Sequence, residues 1–160
     1  MRPLRVASTS GLAFVLAVLA GCGSSASSSG PDSRFAKGWS GTVQVALPNL
    51  AQAGSPVWSP TVTVSLSGDT ATATPICEDG TGSIVFSGSG DSLSWSGSLA
   101  CPGFLAECPG GGAGQLALTV TSATATLSPS DTPPSIRIDA AGPASCGGAS
   151  TTFTSAFSGT

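Results

Sequence analysis

A chain of 160 residues with only 8% charged positions and no histidine has the length for one domain and few groups that could do acid–base work in it. Eight carboxylates face five cations, and two of those cations, Arg2 and Arg5, stand at the extreme N-terminus. So acidic a balance excludes nucleic acid and anionic lipid heads as electrostatic partners, because nothing is present to neutralise a row of phosphates.

From the N-terminus, Arg2 and Arg5 precede an uncharged apolar run from Gly11 to Ala20. A basic start followed by so short an apolar stretch reads as a secretory signal rather than a spanning helix. The two arginines are not adjacent, so the twin-arginine route is not indicated. The run ends in Leu19-Ala20-Gly21-Cys22, which resembles the lipobox of bacterial lipoprotein precursors. That resemblance implies a diacylglyceryl group on the Cys22 sulfur, cleavage between Gly21 and Cys22, and a membrane partner reached through lipid. Each buried methylene contributes about 0.8 kcal/mol, so two or three acyl chains of palmitate type anchor a protein firmly. Gly23 stands where an aspartate would resemble an inner-membrane retention signal, which favours the outer membrane in a host that has two. Ordinary cleavage after Ala20 is the competing reading. The expected organisation is a signal peptide over 1–21, the lipidated cysteine with a Ser/Gly-rich tether over 22–37, and a β domain over 38–160. That domain would sit in the cell envelope, facing the periplasm or the exterior.

Past the tether the apolar residues alternate. Trp39, Val43, Val45 and Leu47 fall on one face of the first segment, and Val62, Val64 and Leu66 on one face of the next. Period-two alternation marks strands with one buried and one wet face, and Gly and Pro interrupt the chain too often for long helices. Eight strands are predicted, near 39–47, 60–67, 70–76, 82–87, 92–100, 115–127, 135–141 and 150–158. The third, Thr-Ala-Thr-Ala-Thr, has only alanines to bury, so its neighbours must approach closely. In the sixth, the apolar parity switches from Leu116, Leu118 and Val120 to Ala123, Ala125 and Leu127, which predicts a bulge near Thr121.

Short consecutive strands with turn-like links predict an all-β, antiparallel single domain, most simply an up-and-down barrel of the lipocalin-like kind. Gly38-Trp39 is similar to the first-strand Gly and Trp of lipocalins, although Lys37 stands where their spacing has a glycine. The runner-up is a β-sandwich, in which Cys77, Trp95 and Cys146 resemble the Cys-Trp-Cys pattern of immunoglobulin domains. The chain has no tyrosine for that fold's corner.

With Cys22 lipidated, four cysteines remain: Cys77, Cys101, Cys108 and Cys146. An even number outside the cytoplasm predicts two disulfides, and without a C-x-x-C pair or histidine a zinc site is not indicated. In a meander these four positions gather at one rim, opposite the tether, where Cys77–Cys101 and Cys108–Cys146 are the favoured pairs.

No catalytic, cofactor or metal residues can be assigned. Gly90-Asp91-Ser92-Leu93 resembles the nucleophile block of the GDSL hydrolases, but that serine needs a histidine base and none exists here. Lys37 is the only lysine, placed at the tether end. Glu78 and Asp79 are adjacent, so on extended backbone they diverge, and a turn ending at Gly80 is the simpler account. The protein is expected to be a non-enzymatic binding or interaction domain with a protein or small apolar ligand as partner. A carrier of an apolar ligand within the barrel, or a structural envelope component, are the alternatives. Long connections on the disulfide rim, 48–59, 101–114 and 142–149, carry Trp58, Phe104 and Leu105, the candidate interaction residues. Those side chains could equally fold inward as a plug.

Overall fold

The computed structural model describes residues 30–48, 56–108 and 112–160, and for 104–107 and 112–113 the backbone alone. After a short 3-10 turn, Ser33–Phe35, nine strands follow in order: β1 (Gly38–Ala46), β2 (Val57–Trp58), β3 (Thr61–Ser67), β4 (Thr70–Thr74), β5 (Ile84–Ser89), β6 (Ser92–Cys108), β7 (Gly112–Ser128), β8 (Ser135–Cys146) and β9 (Ala149–Gly159). All pairings are antiparallel: β3 to β9 follow one another in the sheet, β2 and β3 both pair with β1, and β1 returns to pair with β9 from Gly41↔Gly159 to Ala46↔Thr154. The two-residue β2 and β3 both lie against β1, at Val43↔Trp58 and at Trp39↔Val62. They act as one strand interrupted at Ser59-Pro60. One sheet thus closes into a barrel-like ring with eight positions, as the meander predicts, and the sandwich is set aside.

Alternation places the larger apolar side chains inside. Trp39, Phe86, Phe153 and Phe157 are buried in a core with the β1, β3 and β7 aliphatics, and among the described residues no polar or charged side chain is buried. Ala71 and Ala73 of β4 are fully enclosed, consistent with the close approach that a Thr-Ala strand requires. The parity switch in β7 coincides with a register shift between Leu118 and Ser122 opposite β8. Gly142 sits at that shift, where a Cβ would overlap the Thr119 carbonyl oxygen. Gly142→Ala therefore has to move backbone, and a loss of about 1–3 kcal/mol in chemical denaturation is expected. A change below about 0.5 kcal/mol would show that the bulge yields freely.

Two of the expected long connections are strand instead. β6 and β7 continue as a hairpin to Cys108↔Gly112, and β8 and β9 to Cys146↔Ala149, closed by Gly147 and Gly148 at φ +58° and +87°. Pro102-Gly103 and Gly142-Pro143 look like strand ends in sequence, but each falls where a register shift absorbs it. β5 and β6 pair through Ser87–Ser89 and Ser92–Ser94 and then separate.

The tether end of the ring is closed by the segment before β1. Residues 30–37, the last part of the stretch read as a tether, pack on the ring. Asp32 donates its N–H to the Gly90 carbonyl at 2.7 Å, and the Val64 N–H bonds Lys37 at 2.9 Å. Asp32 caps the 3-10 turn by accepting from the Arg34 N–H at 2.8 Å and holds its guanidinium in a two-point ion pair. The hydrogen bonds from Arg34 lower the Asp32 carboxyl to about 2. The turn delivers Phe35 into the end of the core, fully buried, and its carbonyl accepts the Trp39 indole Nε1–H at 3.0 Å.

Candidate functional site

Alternating hairpins put every second connection at the same end. Gly68-Asp69, residues 90–91 and residues 129–134 turn at the tether end, where the C-terminal Thr160 also pairs with Ser40. The opposite rim carries residues 75–83 and the tips of the two long hairpins. All four cysteines lie there. Cys77 and Cys101 are joined with their Cα atoms 5.3 Å apart, and Cys108 and Cys146 likewise at 5.3 Å. These are the pairs expected from the meander. The first bridges the place where β5 and β6 diverge and ties the 75–83 segment to β6. The second fastens the β6–β7 hairpin to the end of β8.

An apolar pocket opens at this rim. Trp58, Pro60, Pro75, Ile76, Glu78 and Pro102 form its mouth, and Val43, Val62, Val120, Phe153 and Phe157 its depth. The Cys77–Cys101 bridge is part of the wall. The proline-rich mouth follows from the sequence: Pro60 interrupts the strand before β3, Pro75 ends β4, and Pro102 lies on the β6 edge that β5 does not cover. Free space within is small, about 50 Å³. For comparison, ligand pockets span roughly 300–1,000 Å³.

Trp58, singled out in sequence as an aromatic in a Pro-flanked connection, is half-buried and lines the mouth. Phe104 and Leu105 belong to β6, their backbones opposite Leu116 and Gln115; their side chains lie outside the described part of the structure. Cys22 is likewise outside the described residues. Glu78 is the residue that sequence reasoning passed over. Of the adjacent pair, Asp79 does the turn's work, its carboxylate accepting the Thr81 N–H at 3.0 Å and the Thr81 hydroxyl at 2.6 Å. Glu78 instead stands at the pocket mouth as its one ionisable side chain. The divergence of adjacent side chains was legible, but which of the two would face the pocket depends on how the turn closes.

Among the described residues, no three His, Cys, Asp or Glu side chains converge as a metal site. No described helix is long and apolar enough to cross a membrane. The fold and rim together define an all-β antiparallel ring with a disulfide-walled apolar mouth. Comparison with protein families, curated proteins and solved structures finds no match.

Proposed function

We propose that this chain is an exported lipoprotein, held at a membrane by acyl chains on Cys22 and acting there as a non-enzymatic binding domain through its disulfide-bearing rim. The observation that carries the binding half is the asymmetry of the ring. One end receives the chain and is plugged by Phe35 and Trp39, whereas the other opens as an apolar mouth walled by the Cys77–Cys101 disulfide. A site of fixed shape loses less freedom on binding, so covalent bracing favours recognition. With the anchor preceding Gly30, the tether end faces the membrane and the mouth faces away from it. The small interior favours a rim that takes part of a ligand over a carrier that encloses a whole one. The basic start, apolar run and Leu19-Ala20-Gly21-Cys22 together support the anchor.

Two measurements test the two halves. Cys22→Ala is expected to abolish incorporation of labelled palmitate and to shift the protein from the membrane to the soluble fraction. Unchanged labelling would end the lipoprotein reading. For the rim, native mass spectrometry of protein purified from its own host is expected to show a bound species that Trp58→Ser loses while remaining folded. Retention of the same species by folded Trp58→Ser, Phe104→Ser and Leu105→Ser variants would remove this rim as the binding surface.

A further inference from the structure

We infer that the rim pocket selects a slender alkylammonium group, a cationic head on an unbranched apolar chain; this rests on reading the pocket as a binding site. The argument begins with charge. Glu78 is the single ionisable side chain lining the pocket, and among the described residues it has no ion-pair or hydrogen-bond partner. The neighbouring Asp79 is occupied with Thr81. The cations of residues 22–160 are all placed elsewhere. Arg34 pairs with Asp32 at 2.6 Å, Lys37 stands 3.8 Å from the Trp39 ring centroid at the tether end, and Arg137 pairs with Asp139 at 2.6 Å. A ligand carrying a carboxylate or phosphate would meet only like charge at this mouth. A ligand carrying an ammonium would meet Glu78, and on the same mouth the indole of Trp58, a ring type whose face attracts cations.

Shape supplies the other half. Behind the charged mouth the lining is aliphatic and aromatic apart from Ser155, so the remainder of the ligand must be largely apolar. The free space of about 50 Å³ is well below the about 150 Å³ of an apolar cavity that holds benzene. A chain terminus enters such a space and a ring does not. Polarity and the small free volume together favour a linear alkyl tail, with the ammonium held at the mouth between Glu78 and Trp58.

The probes are n-hexylammonium, n-hexanoate, n-hexanol and cyclohexylammonium, titrated at neutral pH into the purified domain with both disulfides intact. The Trp58 indole N–H resonance is the readout, with Trp39 at the closed end as an internal reference. Hexylammonium is expected to bind on the order of tenfold more tightly than hexanoate, with hexanol between them and cyclohexylammonium weaker than the linear amine. Glu78→Gln, a surface change that leaves the fold intact, is expected to lower hexylammonium affinity roughly 2- to 5-fold and to raise that for hexanoate. If the four probes bind alike, or Glu78→Gln leaves the preference for the amine unchanged, the ammonium inference is overturned while the pocket stands. If no probe moves the Trp58 resonance, the pocket reading itself falls and this inference with it.

Discussion

Replacing Cys77 and Cys101 together by serine lowers the stability of the domain by roughly 3–4 kcal/mol, and replacing Cys108 and Cys146 together does the same. The estimate comes from chain entropy, since the bridges span 24 and 38 residues and a longer closed loop restricts the unfolded chain more. For a domain of this length the corresponding shift in Tm is roughly 10–15 °C per bridge. Whole stabilities are typically 5–15 kcal/mol, so loss of both bridges leaves a domain that barely folds. The two pairs differ in what else they disturb. Cys77 and Cys101 wall the pocket, and their bridge holds the segment that presents Glu78. Their removal is expected to weaken ligand binding beyond the loss of stability, whereas removal of Cys108 and Cys146 changes stability alone. Thermal unfolding of the two double variants, with hexylammonium titrations below the transition, separates these effects. A Tm change under about 3 °C for either pair would mean that the bridge is incidental to folding.

The shared rim of the four cysteines was legible because hairpin links send alternate strand ends to one side, although Cys101, read as a strand end, lies inside the longer β6. The bulge in β7 was legible for a similar reason. A parity change between Val120 and Ala123 can be accommodated only by one extra residue, and the register shift is found there. Misreadings arose where one residue type serves two purposes. Gly103 and Gly142 end a strand in many sequences, but here they let neighbouring backbone approach at irregularities inside long strands, so the hairpins run further than their composition suggests. Glu78 was hidden for another reason. A carboxylate beside Asp79 and Gly80 reads as turn chemistry, and its place at an apolar mouth is a property of three separate segments brought together by the ring.

Phe35→Ala is expected to cost about 3–5 kcal/mol, as much as the loss of a rim disulfide. Nothing in the alternation marks this residue. It stands alone among Ser, Arg, Ala and Lys, in a stretch whose composition reads as tether. In the folded chain it is fully buried, carried inward by the 3-10 turn, and its carbonyl holds the indole N–H of the equally buried Trp39. Truncation to alanine removes most of a buried ring at the end of the core, where the space cannot easily close because Trp39 and the surrounding strands are fixed by their own pairing. Arg34→Ala provides the contrast. Its side chain lies on the surface, ion-paired to Asp32, and water screens so exposed a pair, so the loss is expected to be far smaller than for Phe35→Ala. The Asp32 carboxyl is held near 2, below the ordinary value of 3.8. Its contribution is therefore complete above about pH 4 and disappears as the pH falls through about 2, so the cost of Arg34→Ala fades over that window while that of Phe35→Ala persists. Denaturant unfolding of both variants at pH 7 and pH 2 reads out the difference. A Phe35→Ala variant as stable as the parent would return residues 30–37 to the tether and leave Trp39 as the only plug at that end.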